Sequence, residues 1–209
     1  GVSQFFDTIE VKKSNREIVS HSGYYKGEHI TALSTGMGVD NLDIVVTELD
    51  ACKNIDLSTR EIKQKHTTLN LIRLGTTGAM QKDMNINSYI CSKYVVGIDG
   101  MMWFYHSKEE ILEKNLQKEF IKHMSWNSLL PTPYCCKASE TLLQQIAFDI
   151  KQGITITAPG FYGPQGRELR MPLRDKTINE KLPLFAYDNY KVTNYEMETS
   201  SLYCLGQNL

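Results

Sequence analysis

A primary amide and a guanidinium lie two residues apart in the segment 158–170, at Gln165 and Arg167, on either side of Gly166. In extended backbone these side chains would point to the same side, and the glycine would let a ligand approach closely. The amide offers a donor and an acceptor and the guanidinium only donors, which matches the C=O, N–H, C=O edge of a uracil-type ring. Phe161 would supply a stacking surface. The alternative is a solvated Gly/Pro loop.

The run Arg73-Leu-Gly-Thr-Thr-Gly78 places a cation before a tight, hydroxyl-bearing turn. Backbone N–H groups of such a turn form a concave anion site, and Arg73 can hold two oxygens of a phosphate at once. It is not a Walker loop, because no Gly-Lys-Ser/Thr follows. The alternative is that Arg73 makes a structural ion pair and the glycines only shape the turn.

Two acidic residues alternate along the run Asn194-Tyr-Glu-Met-Glu198, so Glu196 and Glu198 would share one side and Met197 the other. Buried carboxylates need partners, and the vicinal hydroxyls of a ribose are suitable ones. Three alternatives stay open: solvated glutamates on an edge strand, a carboxylate paired with an arginine, and a paired-carboxylate glycosidase, whose required separation this spacing does not fix.

The composition excludes several classes of function. The 209 residues suffice for one substantial core, and 23 Lys plus Arg against 24 Asp plus Glu give no charge excess for nucleic acid or a membrane surface. No run reaches transmembrane length and no signal-peptide core is present. The five scattered cysteines lack a CxxC spacing, which predicts reduced thiols, no metal site and a cytoplasmic location. The five histidines are isolated, so no histidine-centred catalytic group is predicted.

The elements that must position these residues follow from the hydrophobic pattern. It predicts strands at 29–35 (buried), 69–74, 89–96, 154–158 and 192–197, and helices at 40–53, 108–124, 138–150 and 200–205. Alternating strands and helices are typical of an α/β fold, with the site at the carboxyl ends of the strands. The stretch 104–134 is interpreted as an insertion or a mobile region.

Several motifs, taken in chain order, resemble those of the uridine phosphorylases in the nucleoside phosphorylase family: Arg16, Ser34-Thr-Gly36, Arg73–Gly78, Phe161–Arg167 and Tyr195–Glu198. The resemblance runs over nearly the whole chain. It implies a single domain over 1–209 with a three-layer α/β/α fold and a central mixed sheet. It also implies phosphorolysis of uridine to uracil and ribose 1-phosphate. The alternatives are a purine nucleoside phosphorylase or nucleosidase of the same fold, and a non-catalytic nucleoside-binding homologue.

The same resemblance implies a role for individual residues. Arg73 and Thr76 would bind phosphate, together with Arg16 from a neighbouring subunit. The ribose would contact Thr76, Met197 and Glu198. The base would contact Phe161, Gln165, Arg167, Thr35 and Gly36. Arg73 and Arg167 would be the catalytic residues, Arg167 meeting the charge on the departing uracil.

The partners implied are a nucleoside, inorganic phosphate as co-substrate, and a second copy of the chain, as a homodimer or a hexamer built as a trimer of dimers. No cofactor is expected, apart from a potassium ion at Glu17 between subunits. Family members carry a Gly-Asp-Pro-x-Arg phosphate loop upstream and further elements after the last helix. We therefore expect this sequence to lack N- and C-terminal parts.

Overall fold

The computed structural model describes residues 1–209 as two compact units, Gly1–Met37 and Gly38–Leu209. A single domain over the whole chain stays a prediction. The first unit begins with a 3-10 turn at Val2–Phe5. An antiparallel sheet follows, in the order β1-β2-β3, with strands β1 (Thr8–Asn15), β2 (Ile18–Tyr25) and β3 (Glu28–Leu33). Arg16, with a φ of 51°, takes the left-handed conformation that the tight β1–β2 turn requires.

The strand predicted at 29–35 is confirmed as β3, but its predicted burial is wrong. Its first four residues are exposed, and every residue of β1 is exposed as well. Three strands and one short turn give this small unit too little material to cover both faces of the sheet. The apolar residues of 29–35 therefore form a strand without forming a core.

The second unit contains five helices and eight strands. The helices are α1 (Val39–Asn54), α2 (Lys114–Met124), α3 (Glu140–Ile146), α4 (Ile178–Lys181) and α5 (Thr199–Asn208). The strands are β4 (Ile55–Asp56), β5 (Glu61–Ile62), β6 (Gly78–Ala79), β7 (Ile90–Gly97), β8 (Tyr134–Lys137), β9 (Lys151–Thr157), β10 (Ala186–Tyr187) and β11 (Tyr190–Glu196). Single 3-10 turns lie at Met101–Phe104, Glu109–Ile111, Gly163–Gln165 and Leu182–Leu184.

The central sheet is mixed, as predicted. Its strand order is β10-β11-β9-β7-β8, and β6 also pairs with β11. The three middle strands β7, β9 and β11 run parallel, whereas β6, β8 and β10 pair antiparallel with their neighbours. The carboxyl ends of β9 and β11 therefore lie side by side.

Helices cover both faces of this sheet. Successive residues of β7 point to opposite faces, so Val95 joins the core with α1 and α5 while Tyr94 and Val96 join the core with α2. A strand buried on both faces is apolar throughout instead of alternating. The predicted three-layer α/β/α architecture is confirmed.

The strand predicted at 69–74 is wrong. These residues have no ladder partner, and two of the apolar side chains, Ile72 and Leu74, are 56% and 75% exposed. Only the short β6 further along pairs with the sheet. An apolar run predicts an extended chain, but a strand also needs a neighbour to accept its hydrogen bonds.

Two helices are shorter than predicted. The helix expected from 108 begins at Lys114, because residues 109–111 form a 3-10 turn and the Glu113 N–H bonds the Cys135 carbonyl at 2.8 Å. The helix expected over 138–150 covers only Glu140–Ile146, starting after a Ser139 cap. No helix in the structure combines the length and the apolar character needed to cross a bilayer.

Helix α2 lies in the stretch 104–134 and buries Leu116, Phe120 and Met124 in the core on one face of the sheet. The interpretation of 104–134 as an insertion or mobile region stays a prediction. What the structure establishes is that the helix inside it supplies core residues.

The prediction that all five cysteines are reduced is wrong for two of them, because Cys136 on β8 and Cys204 on α5 form a disulfide. They are 68 residues apart in sequence, with a Cα–Cα distance of 6.2 Å. Chain spacing does not reveal such a pair; only the packing of α5 on the sheet brings the two Cβ vectors together. Cys135, the neighbour of Cys136, belongs to the core on the other face and is free.

Candidate active site

The three segments whose side chains could do chemistry meet at the carboxyl ends of β9 and β11. The turn that follows Arg73 enters β6, where Gly78 pairs with Tyr195 of β11. The segment 158–170 continues directly from β9, and Glu196 is the last residue of β11. In open α/β sheets this edge is where ligands bind. The predicted location of the site is therefore the place where these residues converge.

Arg73 lies between the two acidic residues at the end of β11. One terminal nitrogen donates to Glu198, and the other lies 3.3 Å from a carboxylate oxygen of Glu196. Both carboxylates are almost fully buried, while the Arg73 side chain is 22% exposed. The arginine-paired carboxylate, an alternative from the sequence, is thus present. A guanidinium has five N–H donors, so two contacts leave donors for an anion.

Glu196 is held more tightly than Glu198. Its carboxylate accepts hydrogen bonds from the Glu198 and Thr199 N–H groups, both at 2.9 Å, and from the Thr157 hydroxyl at 2.5 Å. Burial raises the pKa of the Glu196 carboxyl, while the Thr157 hydroxyl and the Arg73 charge oppose that rise. Glu198 accepts from the Gly38 N–H at 2.8 Å in addition to Arg73. Glu196 therefore joins β11 to the start of α5, and Glu198 is the freer acceptor.

The turn 74–78 lies against the guanidinium of Arg73. A Cβ at Gly75 would lie 2.7 Å from both terminal nitrogens of Arg73, so only glycine lets the guanidinium rest there. The anchor of the turn is Thr77, whose hydroxyl donates to the Tyr195 carbonyl at 2.6 Å. Thr76, the residue singled out from the sequence, is exposed beside it.

The amide and guanidinium of the segment 158–170 do converge, but the backbone reason given from sequence is wrong. Gly163–Gln165 is a 3-10 turn instead of extended chain, and Gly166 has a φ of 69°. Arg167 Nη1 nevertheless donates to Gln165 Oε1 and to the Phe161 carbonyl, the latter at 2.7 Å. A Cβ at Gly166 would lie 2.5 Å from Asn179 Nδ2, so the glycine serves the turn and its packing.

Phe161 and Tyr195 hold the same segment from two sides. The Arg167 Cζ lies 4.0 Å from the centroid of the Phe161 ring, which is 53% exposed. The Tyr195 hydroxyl donates to the Pro164 carbonyl at 2.8 Å. A cavity of about 330 Å³ is lined by Gly78, Ala79, Met80, Gln165, Arg167, Asn179, Pro183 and Tyr195. Gly78, the last residue of the turn 74–78, therefore lines the same cavity as the amide–guanidinium pair, whereas Arg73, Gly75 and Thr77 line a second cavity of about 160 Å³.

The remaining predicted residues are placed as follows. Met197 is half-buried immediately after β11. Arg16, Glu17, Thr35 and Gly36 belong to the first unit, and their roles toward the site stay predictions. Within that unit Arg16 and Glu17 are exposed at the tip of the β1–β2 hairpin, and Thr35 Oγ1 donates to the Gly36 carbonyl at 3.3 Å.

Sequence reasoning missed three residues that shape the site. Gly75, Thr77 and Asn194 all stood in quoted motifs without an assigned role, and the burial of the Asn194 amide cannot be recognised from its sequence neighbours. No group of three or more His, Cys, Asp or Glu side chains able to hold a metal ion is present.

Comparison with known proteins gives a family match over almost the whole chain. The family model described as the phosphorylase superfamily matches residues 2–209. A uridine phosphorylase of Thermococcus kodakarensis is 29% identical over 98% of this chain, and the match covers 62% of that protein's own length. A DeoD-type purine nucleoside phosphorylase of Oceanobacillus iheyensis is 33% identical over 43% of this chain and 32% of its own length.

A solved structure gives the same result at the level of the fold. A nucleoside phosphorylase of Trypanosoma brucei, described as showing uridine phosphorylase activity, superposes with a TM-score of 0.82 at 25% identity. The superposition covers 99% of this chain and 75% of that one. The chain is thus similar to the Thermococcus and Trypanosoma proteins over nearly its whole length, and it spans 62% and 75% of theirs.

Proposed function

The chain belongs to the phosphorylase superfamily, and from this premise we propose that it catalyses the reversible phosphorolysis of uridine to uracil and ribose 1-phosphate. The observation that carries the choice of uridine is the contact between Arg167 and Gln165 at the wall of the cavity that Gly78 also lines. A donor–acceptor amide beside a cation suits the C=O, N–H, C=O edge of an imide ring.

Phosphate would bind at the turn 74–78. Arg73 offers the donors that its two carboxylate contacts leave, and the N–H groups of the turn add a concave set of partial positive charges. Thr76 would contribute its exposed hydroxyl. Arg16, exposed at the tip of its hairpin, is the side chain we assign to the phosphate of a neighbouring subunit.

The ribose would lie over Met197 and Glu198, also within reach of Thr76. A carboxylate has about four acceptor positions, and Arg73 and the Gly38 N–H occupy two of those on Glu198. The others suit the 2′ and 3′ hydroxyls. Because Arg73 and Glu198 are in contact, a phosphate on one and a ribose on the other would be held next to each other, as attack on C1′ requires.

In the reaction the bond from C1′ to N1 of uracil breaks, and its electron pair leaves with the base. The sugar then carries oxocarbenium character, which the dianionic phosphate below C1′ stabilises before one of its oxygens forms the new bond to C1′. Arg167 meets the negative charge on uracil, with Gln165 and Phe161 holding the ring and Thr35 and Gly36 bordering it. A preorganised donor aimed at such charge contributes about 3–4 kcal/mol. The uracil anion takes its proton from solvent.

The assembly and surroundings are part of the same proposal. We expect a homodimer at least, and a hexamer if dimers associate further, because Arg16 would act in a neighbour's site. A potassium ion at Glu17 would lie between subunits. The cytoplasmic location rests on composition alone, since the Cys136–Cys204 disulfide removes the reduced-thiol argument for it.

The second candidate function is purine nucleoside phosphorolysis, which the partial similarity to a DeoD-type enzyme favours. It differs in one measurable respect, the base. A nucleosidase differs in another, because water would replace phosphate as the nucleophile and Arg73 would have no phosphate to hold.

The deciding experiment measures base release from uridine, inosine and adenosine, each with and without inorganic phosphate. We expect uracil release that depends on phosphate and produces ribose 1-phosphate. Arg167→Ala should lower uridine turnover about 100- to 1,000-fold with little change in melting temperature. Arg170→Ala, an exposed arginine of the same segment, is the matched control and should retain activity. Release that ignores phosphate, or a preference for inosine, would overturn the proposal.

A further inference from the structure

Polar side chains form a row through the middle of the central sheet, on a path where an α/β core is normally apolar. The row passes from Ser92 on β7 to Thr155 on β9 and Asn194 on β11, and it ends at Thr77 in the turn before β6. Thr155 is fully buried and Asn194 is 5% exposed. Burying hydroxyl and amide groups costs free energy unless every one is hydrogen-bonded, so the row requires an explanation.

The chemistry of the groups fixes the direction of each bond. Asn194 Nδ2 can only donate hydrogen bonds, so it donates to Thr77 Oγ1 at 3.0 Å. The Thr77 hydroxyl in turn donates its one proton to the Tyr195 carbonyl. Asn194 Oδ1 accepts from Thr155 and Thr193, at 2.9 and 2.8 Å. Since Thr155 has used its proton, Ser92 must donate to Thr155.

The row therefore runs one way and ends on the turn. The Asn194 oxygen accepts hydrogen bonds from two hydroxyls of the sheet, and the Asn194 nitrogen donates to the Thr77 hydroxyl, which in turn donates to the Tyr195 carbonyl. Thr77 follows Arg73 by four residues, and its hydroxyl joins the turn to β11 next to the two-residue pairing of β6. A rigid sheet thereby fixes a loop that has few other constraints.

We propose that Asn194 is a positioning residue that holds the turn 74–78, and with it Arg73, in the conformation that binds phosphate. This inference rests on the proposed function only for the identity of the anion. Asn194 does not line the cavity beside Gln165 and Arg167; it lines a second cavity together with Arg73, Gly75 and Thr77, and its hydrogen bond to the turn is the one to Thr77. The ligand class it serves is a phosphate oxyanion.

The test compares inorganic phosphate binding, by titration calorimetry, in the wild type, Asn194→Leu and Thr77→Val. Leucine and valine keep the volumes but remove the bond, and we expect phosphate binding about 10-fold weaker or more in each. The double variant should bind phosphate no more weakly than Thr77→Val, because that single variant already removes the contact with Asn194 as well as the bond to Tyr195. Thr77→Ser, which keeps the hydroxyl, should restore wild-type binding.

Thr193→Val is the matched control, since it removes an equally buried hydroxyl from the same Asn194 oxygen without touching the turn. We expect its phosphate affinity to stay within about 2-fold of the wild type, because Thr155 still donates to the same Asn194 oxygen and the bond from Asn194 to Thr77 is intact. If phosphate binding is weakened equally in Thr193→Val and Asn194→Leu, Asn194 has only a structural role and the proposal is overturned. If Asn194→Leu fails to fold, phosphate binding by Thr77→Val decides the test, because Thr77 is exposed.

Amide hydrogen exchange separates this proposal from the proposed function. Faster exchange at 75–78 in Asn194→Leu, but not in Thr193→Val, is expected whatever the enzyme's substrate. If the wild type binds phosphate yet releases no uracil, the uridine proposal fails and the positioning role stands. If exchange at the turn is unchanged in Asn194→Leu, the positioning role fails whether or not uridine is cleaved.

Discussion

Arg73 has structural contacts that are compatible with the chemistry proposed for it. Its guanidinium pairs with two nearly buried carboxylates, which would be more costly to bury at the end of β11 without a cation. The same contacts orient the guanidinium, so that its remaining donors point in a fixed direction. Because the group rests on the backbone at Gly75, that direction is sensitive to a single methyl group.

We therefore expect Gly75→Ala to lower kcat/KM for phosphate about 10- to 100-fold, since a displaced guanidinium loses its alignment with the anion. The residue is exposed, so the melting temperature should change little. Steady-state kinetics with varied phosphate, together with calorimetry, measures both quantities.

Gly206→Ala is the control for this change. A Cβ at Gly206 would meet its nearest neighbour, Leu71, at an ordinary 3.8 Å, and alanine favours the helix α5. Activity in this variant should match the wild type. Wild-type phosphate kinetics in Gly75→Ala would show that Arg73 is not held by the turn.

At the scale of elements, the end of β11 organises the site. Three successive residues each fix a different neighbour: Asn194 holds Thr77, Tyr195 holds the Pro164 carbonyl, and Glu196 holds the start of α5 together with Arg73. Alternation along the strand puts Asn194 and Glu196 on one face and Tyr195 on the other. The end of this one strand thus holds the turn 74–78 on one side and the segment 158–170 on the other.

Removal of the Tyr195 hydroxyl tests this division. Burial raises the pKa of the Tyr195 hydroxyl, which keeps it a donor at neutral pH. In Tyr195→Phe we expect the KM for uridine to rise about 2- to 10-fold, the range of one lost hydrogen bond, while the KM for phosphate is unchanged. Initial rates with each substrate varied in turn distinguish the two.

Tyr94→Phe provides the comparison, because the Tyr94 hydroxyl also makes one hydrogen bond, to Asp188 at 2.9 Å, from a buried tyrosine on β7. It should lose comparable stability with both KM values unchanged. A rise in both KM values in Tyr195→Phe would mean that β11 acts as one rigid unit on the whole site.

At the scale of the molecule, the disulfide between β8 and α5 closes a long loop that contains β9, β11 and the segment 158–170. Cross-linking residues 68 apart removes conformational freedom from the unfolded chain, worth about 4 kcal/mol in the chain-entropy account. Both sulfur-bearing residues are fully buried, so a reductant would reach them only when the chain opens.

We expect thiol titration of the denatured, unreduced protein to find three free thiols out of five cysteines. Cys204→Ser should then unfold at distinctly lower urea concentration than the wild type, whereas Cys52→Ser, at an exposed free cysteine, should unfold like it. Five titrated thiols would mean that the two sulfurs are neighbours without being bonded.

The sequence by itself determined the α/β class and most of the long helices and strands of the second unit, and it predicts the edge of the sheet where chemistry would lie. Those features follow from local patterns: apolar runs, glycine turns and the alternation at Glu196 and Glu198. It also identified Gln165 with Arg167 as a pair, since residues so close in sequence can meet through several backbone conformations, a 3-10 turn included.

Only the tertiary structure decided which groups are partners across the chain. The contacts of Arg73 with Glu198, of Thr77 with Asn194, and of Cys136 with Cys204 join residues 125, 117 and 68 positions apart. The prediction of a strand at 69–74 is wrong for the same reason. A strand needs a hydrogen-bonded neighbouring strand, and the sequence of 69–74 does not show whether one is present. Local patterns reflect the chain's own periodicity, whereas partners depend on how distant segments pack.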